Sequence, residues 1–181
     1  MKINRRVTKI KIKKDKIFIS YQESNSGRGS EWDEYSLRCC DQARPELYET
    51  MKKLDAQVCD ICELPKDYEK RITTTGVTFI YNDETGAWGI VLTAQMDLNS
   101  NPAPLNLNTP YKSNTGNDGQ EDYALSDTCA IILAKLSEEC FLYINGDRAQ
   151  GKLFDVDAEY VKDDTKRIEN RDVLQLGSFQ Q

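Results

Sequence analysis

A chain of 181 residues is long enough to bury its own core, so neither metal nor disulfides are needed to hold it folded. Hydrophobic residues at 39%, charged residues at 30% and Gly plus Pro at only 15 positions exclude a fibrous or wholly disordered chain, and no apolar run has the length of a bilayer span. The absence of histidine removes Ser-His and Cys-His nucleophilic systems, imidazole acid–base chemistry and every mixed Cys/His zinc site.

The net charge of −6 is unevenly shared: residues 1 to 20 hold eight Lys/Arg and one acid, a net of +7, which leaves sixteen bases and twenty-nine acids, a net of −13, for residues 21 to 181. The basic opening "MKINRRVTKIKIKKDK" lacks the apolar core and small-residue cleavage site of a signal peptide, so a cytoplasmic protein with reduced cysteines is expected.

In "VTKIKIKK", Ile10 and Ile12 alternate with Lys9, Lys11 and Lys13, the period of a strand with one face in a core. "KIFISY" repeats the signal after the polar pair Lys14-Asp15, which predicts a hairpin. "QESNSGRGSEWDE" reads as a loop and "YSLRCC" as a third strand. From Pro45 the period changes. Leu47, Met51, Leu54, Val58 and Ile61 are spaced 4, 3, 4, 3, one face of a helix that Pro45 opens and Pro65 stops. "PKDYEKR" suits one further short turn.

Two longer strands and a short one follow. In "ITTTGVTFIYND", Thr75, Val77, Phe79 and Tyr81 are expected on one face, and "NDETG" is a hairpin loop. "AWGIVLTAQMDL" alternates through Trp88, Ile90, Leu92, Ala94, Met96 and Leu98, and "APLNLNTP" is expected to point Leu105 and Leu107 inward. A second helix is predicted from about Tyr123 to Ile144, with the stripe Leu125, Cys129, Ile132, Leu136, Cys140 and Tyr143 and the stop signal Asn145-Gly146. This order predicts the α+β class: antiparallel sheet with two main helices packed on it. Residues 1–150 form one domain in this reading, and 151–181 a charged C-terminal extension, either a helix from about 157 to 170 or a partly ordered tail.

Candidate chemistry is sparse. Cys39, Cys40, Cys59 and Cys62 have the number for a zinc site, but adjacent strand residues point to opposite faces, so Cys39 and Cys40 would not both reach one ion without a bulge. Packing is the expected role of these thiols and of Cys129 and Cys140, and no metal or other cofactor is expected. No phosphate loop, dinucleotide fingerprint or calcium loop occurs, so no enzyme is expected. The lysine row stands out. Arg5, Arg6, Lys9, Lys11, Lys13, Lys14 and Lys16 are candidates for contact with nucleic acid or a partner, since a row of strand lysines can track a phosphate backbone. The competing reading is that they guard an edge strand against aggregation. Trp32, among acids in a polar loop, is the candidate exposed aromatic contact.

At "CELPKDYEKRITTTGVTFIYND", "VLTAQMDL", "PLNLNTPYK" and "YINGDRAQ" the chain resembles a family of small early proteins of phages and prophages of Firmicutes and related gut bacteria, over roughly residues 7 to 150. The resemblance implies a phage gene concerned with DNA metabolism, and kinship with an inhibitor of the type II-A CRISPR nuclease. On that basis the expected function is counter-defence of the anti-CRISPR type. The partner would be the RNA-guided nuclease or its guide RNA, in the cytoplasm of a bacterial host and away from any membrane. Such nucleases hold nucleic acid in basic channels, which an acidic body suits. The alternative is an accessory protein of phage recombination or replication that binds single-stranded DNA.

Overall fold

The computed structural model describes residues 3–14, 16–25, 31–115 and 124–149. Its strands are β1 (Ile3–Lys13), β2 (Lys16–Asn25), β3 (Asp33–Cys39), β4 (Ile72–Tyr81), β5 (Trp88–Met96), β6 (Leu105–Asn108) and β7 (Lys112–Ser113). The helices are α1 (Pro45–Lys52), α2 (Leu54–Ile61) and α3 (Asp127–Ile144), with a 3-10 turn at Lys66–Arg71. All these elements fall within the compact unit Met1–Ala149. The extension expected at 151–181 lies outside the described residues.

The strands form one antiparallel sheet in the order β3-β2-β1-β4-β5-β6, with β7 pairing β5. The fold is α+β, as the element order implies. The tight turn after β1 puts Lys14 in the left-handed region (φ 53°) and sets Lys13 opposite Lys16. That register places Ile10 against Ile19 and Ile12 against Ile17, so the apolar residues of both strands share one face.

The helices cover this face. Ile10, Ile17, Ile19, Val77, Ile90, Leu92 and Ala94 from the sheet are buried with Leu47, Met51, Leu54, Val58, Cys59, Leu133 and Leu136 from the helices. The predicted helix from Pro45 is interrupted only at Lys53, whose backbone stays right-handed (φ −63°, ψ −18°). Ser126 caps α3 by accepting from the Cys129 N–H at 3.2 Å, and the helix ends where Gly146 takes φ +96°. The helix thus starts later than the apolar stripe suggests; Tyr123 lies outside the described residues. Its buried side is Cys129, Leu133, Leu136, Glu139, Cys140 and Tyr143.

Two expectations need correction. β4 carries a bulge between Thr74 and Gly76, which shifts the alternation by one residue. Thr74 therefore joins Ile72 as buried, while Thr75 is half-buried and its hydroxyl donates to the Thr93 carbonyl at 3.2 Å. Leu105, on the edge strand opposite Met96, is 45% exposed, and only Leu107 packs against the core.

One irregularity concerns the centre of the sheet. β1 has 11 residues and β4 has 10, yet they pair only across Lys9–Lys11 and Gly76–Thr78. Both strands are bulged beside this seam, β1 between Val7 and Lys9 and β4 between Thr74 and Gly76. Bulges bend a strand and raise its local twist, so the two separate on leaving the short ladder.

Candidate nucleic-acid interface

Because β1 lies in the middle of the sheet, its lysines do not guard an edge. They stand on the face opposite the helices. Alternation sends Ile10 and Ile12 inward, so Lys9, Lys11 and Lys13 point outward, with successive side chains roughly 7 Å apart along the strand. All three are exposed, as are Lys14 and Lys16, and none of the five makes an ion pair with a described residue.

Cross-strand register builds the surroundings. Lys11 sits opposite Phe18, which sits opposite Arg38, and Lys9 sits opposite Ser20, which sits opposite Ser36. The Arg38 guanidinium lies 5.2 Å from the centre of the Phe18 ring. On the other side Lys9 faces Thr78 and Lys11 faces Gly76, which faces Thr93. Farther out, Thr93 donates to Asn108 at 3.0 Å and Gln95 to Asn106 at 3.1 Å. No described residue in the rows through Lys9, Lys11 and Lys13 is acidic. The result is a cationic, hydroxyl-rich sheet face with one half-buried aromatic ring beside the lysines.

Phe18 and Arg38 were not singled out from the sequence. The hairpin turn that pairs Lys13 with Lys16 already sets Lys11 opposite Phe18. Arg38 depends on the register between β2 and β3, which the alternation within either strand does not fix.

The remaining candidates do different work. Arg5 is held by Glu23 at 2.7 Å and by Asn145 at 3.3 Å. Arg6 lies between two rings, 3.9 Å from the centre of Trp32 and 4.5 Å from that of Tyr81, and pairs with Asp83 and Gln22. Its guanidinium holds the Asp83 carboxyl below the usual carboxylate range. Trp32 is half-buried, not a free contact residue, because Arg6 covers one of its faces. Tyr81 donates its hydroxyl to the Val7 carbonyl at 2.8 Å, and burial raises its pKa against the opposing charge of Arg6. This cluster ties the end of β1 to β4 and to the segment before β3.

The thiols are mostly core. Cys59, Cys129 and Cys140 are buried, and burial pushes Cys129 up to about 11 and Cys140 higher still. Cys40 is exposed, while Cys39 accepts from Arg148 at 2.9 Å and donates to Asp41 at 3.3 Å. Among the described residues no three Cys, Asp or Glu side chains are placed to share a metal ion, and no helix is long and apolar enough to cross a membrane. The chain matches no protein-family profile, no curated protein and no solved structure.

Proposed function

We propose that this protein is a non-enzymatic binder of single-stranded nucleic acid, acting as an accessory in phage recombination or replication. The observation that carries the reading is the row Lys9, Lys11 and Lys13, exposed and without ion pairs among the described residues, on a sheet face that also holds Phe18 and Arg38. Lysines at strand spacing supply phosphate contacts whatever the base sequence. Phe18 and the Arg38 plane beside it offer a base a surface to stack on, an interaction of about 1–3 kcal/mol that every base can make. Threonine, serine and asparagine around them satisfy sugar and phosphate oxygens without imposing sequence.

The test is fluorescence anisotropy with labelled single-stranded DNA and RNA at increasing salt. Binding is expected at low salt, with log K falling against log salt at a slope of about −2 for three neutralised phosphates. The triple change Lys9→Glu, Lys11→Glu and Lys13→Glu is expected to abolish it while leaving the melting transition in place, since all three side chains are exposed. No affinity at low salt would remove this reading.

A second reading is favoured by the charge asymmetry. Residues 21 to 181 carry a net of −13, which disfavours long naked nucleic acid but suits the basic channel of a nucleoprotein. On this reading the protein is a phage counter-defence inhibitor of an RNA-guided nuclease. The acidic body approaches the nuclease, and the lysine face meets its guide RNA or the displaced DNA strand.

A further inference from the structure

Where β1 and β4 separate, the sheet opens into a cavity of about 1060 Å³ that runs from the outer face towards the helices. Pockets for small organic ligands commonly span roughly 300–1,000 Å³, so the opening has room for a nucleotide and not merely for an ion. Five lysines line it: Lys11, Lys13 and Lys14 from β1 and its turn, Lys52 from α1 and Lys70 from the 3-10 turn. Among the described lining residues the acids that oppose them are Asp55 and Glu69. Asp55 is already engaged, its carboxylate accepting from the Thr74 N–H at 2.7 Å in the position a neighbouring strand would otherwise fill. The farther wall is apolar and aromatic, with Met51, Ile72 and Tyr48, the last 38% exposed.

Thr74 lines the same cavity but is only 6% exposed, and its Oγ1 is closed off from the opening, near the Asp55 carboxylate whose rise in pKa it opposes. A phosphoryl group in the cavity would instead meet the ammonium groups, which supply its countercharge.

We propose that this cleft is a binding site for a phosphorylated ligand of nucleotide size, its phosphate held by Lys52 and Lys70. Two sources share that chemistry: a free nucleotide and the phosphorylated terminus of a strand. The site is separable from backbone tracking on the outer face, because Lys9 does not line the cleft, whereas Lys52 and Lys70 are not in the outward row of β1.

Calorimetric titration of the full chain with inorganic phosphate, AMP, ATP and a tetranucleotide with or without a 5′-phosphate tests it. AMP or ATP binding better than inorganic phosphate identifies a free nucleotide as ligand. A preference for the 5′-phosphorylated over the unphosphorylated tetranucleotide, exceeding the response to AMP, identifies a strand end. Lys52→Ala and, separately, Lys70→Ala are each expected to weaken binding roughly tenfold, the loss of one charge-assisted contact. Lys9→Glu is expected to leave nucleotide binding intact while weakening long oligonucleotides, so failure of the outer-face reading and failure of this one are told apart. If no phosphorylated probe binds, or if folded Lys52→Ala and Lys70→Ala proteins bind as the unaltered chain does, the proposal is overturned.

Discussion

Asp55 illustrates how one side chain sustains an irregular sheet. The Thr74 amide has no strand to donate to, and an amide buried without a partner costs about 1–3 kcal/mol. The α2 carboxylate supplies the acceptor. The arrangement has its own cost, because burial raises the Asp55 pKa above its ordinary 3.8 despite the Thr74 hydrogen bond and the nearby Lys52. An acid whose folded pKa is raised binds its proton more tightly when folded. Its contribution to stability is greatest at low pH and falls as pH rises from the ordinary value through the folded one. Asp55→Ala should therefore lose about 1–3 kcal/mol at neutral pH. Asp55→Asn keeps an acceptor and removes the titration. Urea unfolding of the wild type and Asp55→Asn over the acid-to-neutral range should show the wild type losing ground to the variant as pH rises; parallel curves would contradict the burial argument.

At the level of elements, the β1–β4 seam is the weak line of the sheet, since three residue pairs join its two halves where β1 and β2 share ten. Gly76 makes even this short ladder possible: a Cβ there would stand 2.9 Å from the Ile10 carbonyl oxygen and 3.7 Å from the Lys11 Cβ. The neighbour is backbone, so it cannot rotate away. Gly76→Ala is expected to cost about 1–3 kcal/mol, as overpacking in a close-packed core does. Hydrogen exchange should accelerate at the Ile10 and Val77 amides more than within the β4–β5 hairpin. A variant of unchanged stability would contradict the close approach of Gly76 to Ile10. The hairpins on either side are long antiparallel ladders, each with one bulge, and the helices bridge them, with α1 and α2 against β4 and α3 against β1.

At the scale of the whole molecule, charge divides by region. The basic excess is concentrated in the first hairpin, which presents its lysines away from the helices, while the rest of the chain is acidic. Such separation steers encounters and makes them salt-dependent. If the partner is a guide-loaded nuclease, a molar excess of this protein should suppress cleavage of target DNA. Lys9→Glu, Lys11→Glu, Lys13→Glu should relieve the suppression, and added salt should weaken it. Unchanged cleavage at large excess removes the counter-defence reading and leaves nucleic-acid binding to be judged on the anisotropy result.

The α+β class, the first hairpin, the outward lysine row and the apolar stripes of the helices were legible because each depends on periodicity within a few residues. Ile10 and Ile12 alternating with lysine define a strand face without reference to any distant partner, and Asn145-Gly146 ends a helix by local backbone preference. Pairing between distant segments is not written in that way. The central place of β1, the Arg6 stack that occupies Trp32, the approach of Arg38 to Phe18 and the cleft beside Thr74 all arise when residues tens of positions apart come together. Bulges decided the rest, because one extra residue in β4 exchanges the faces of Thr74 and Thr75 while leaving the apolar composition of the strand unchanged.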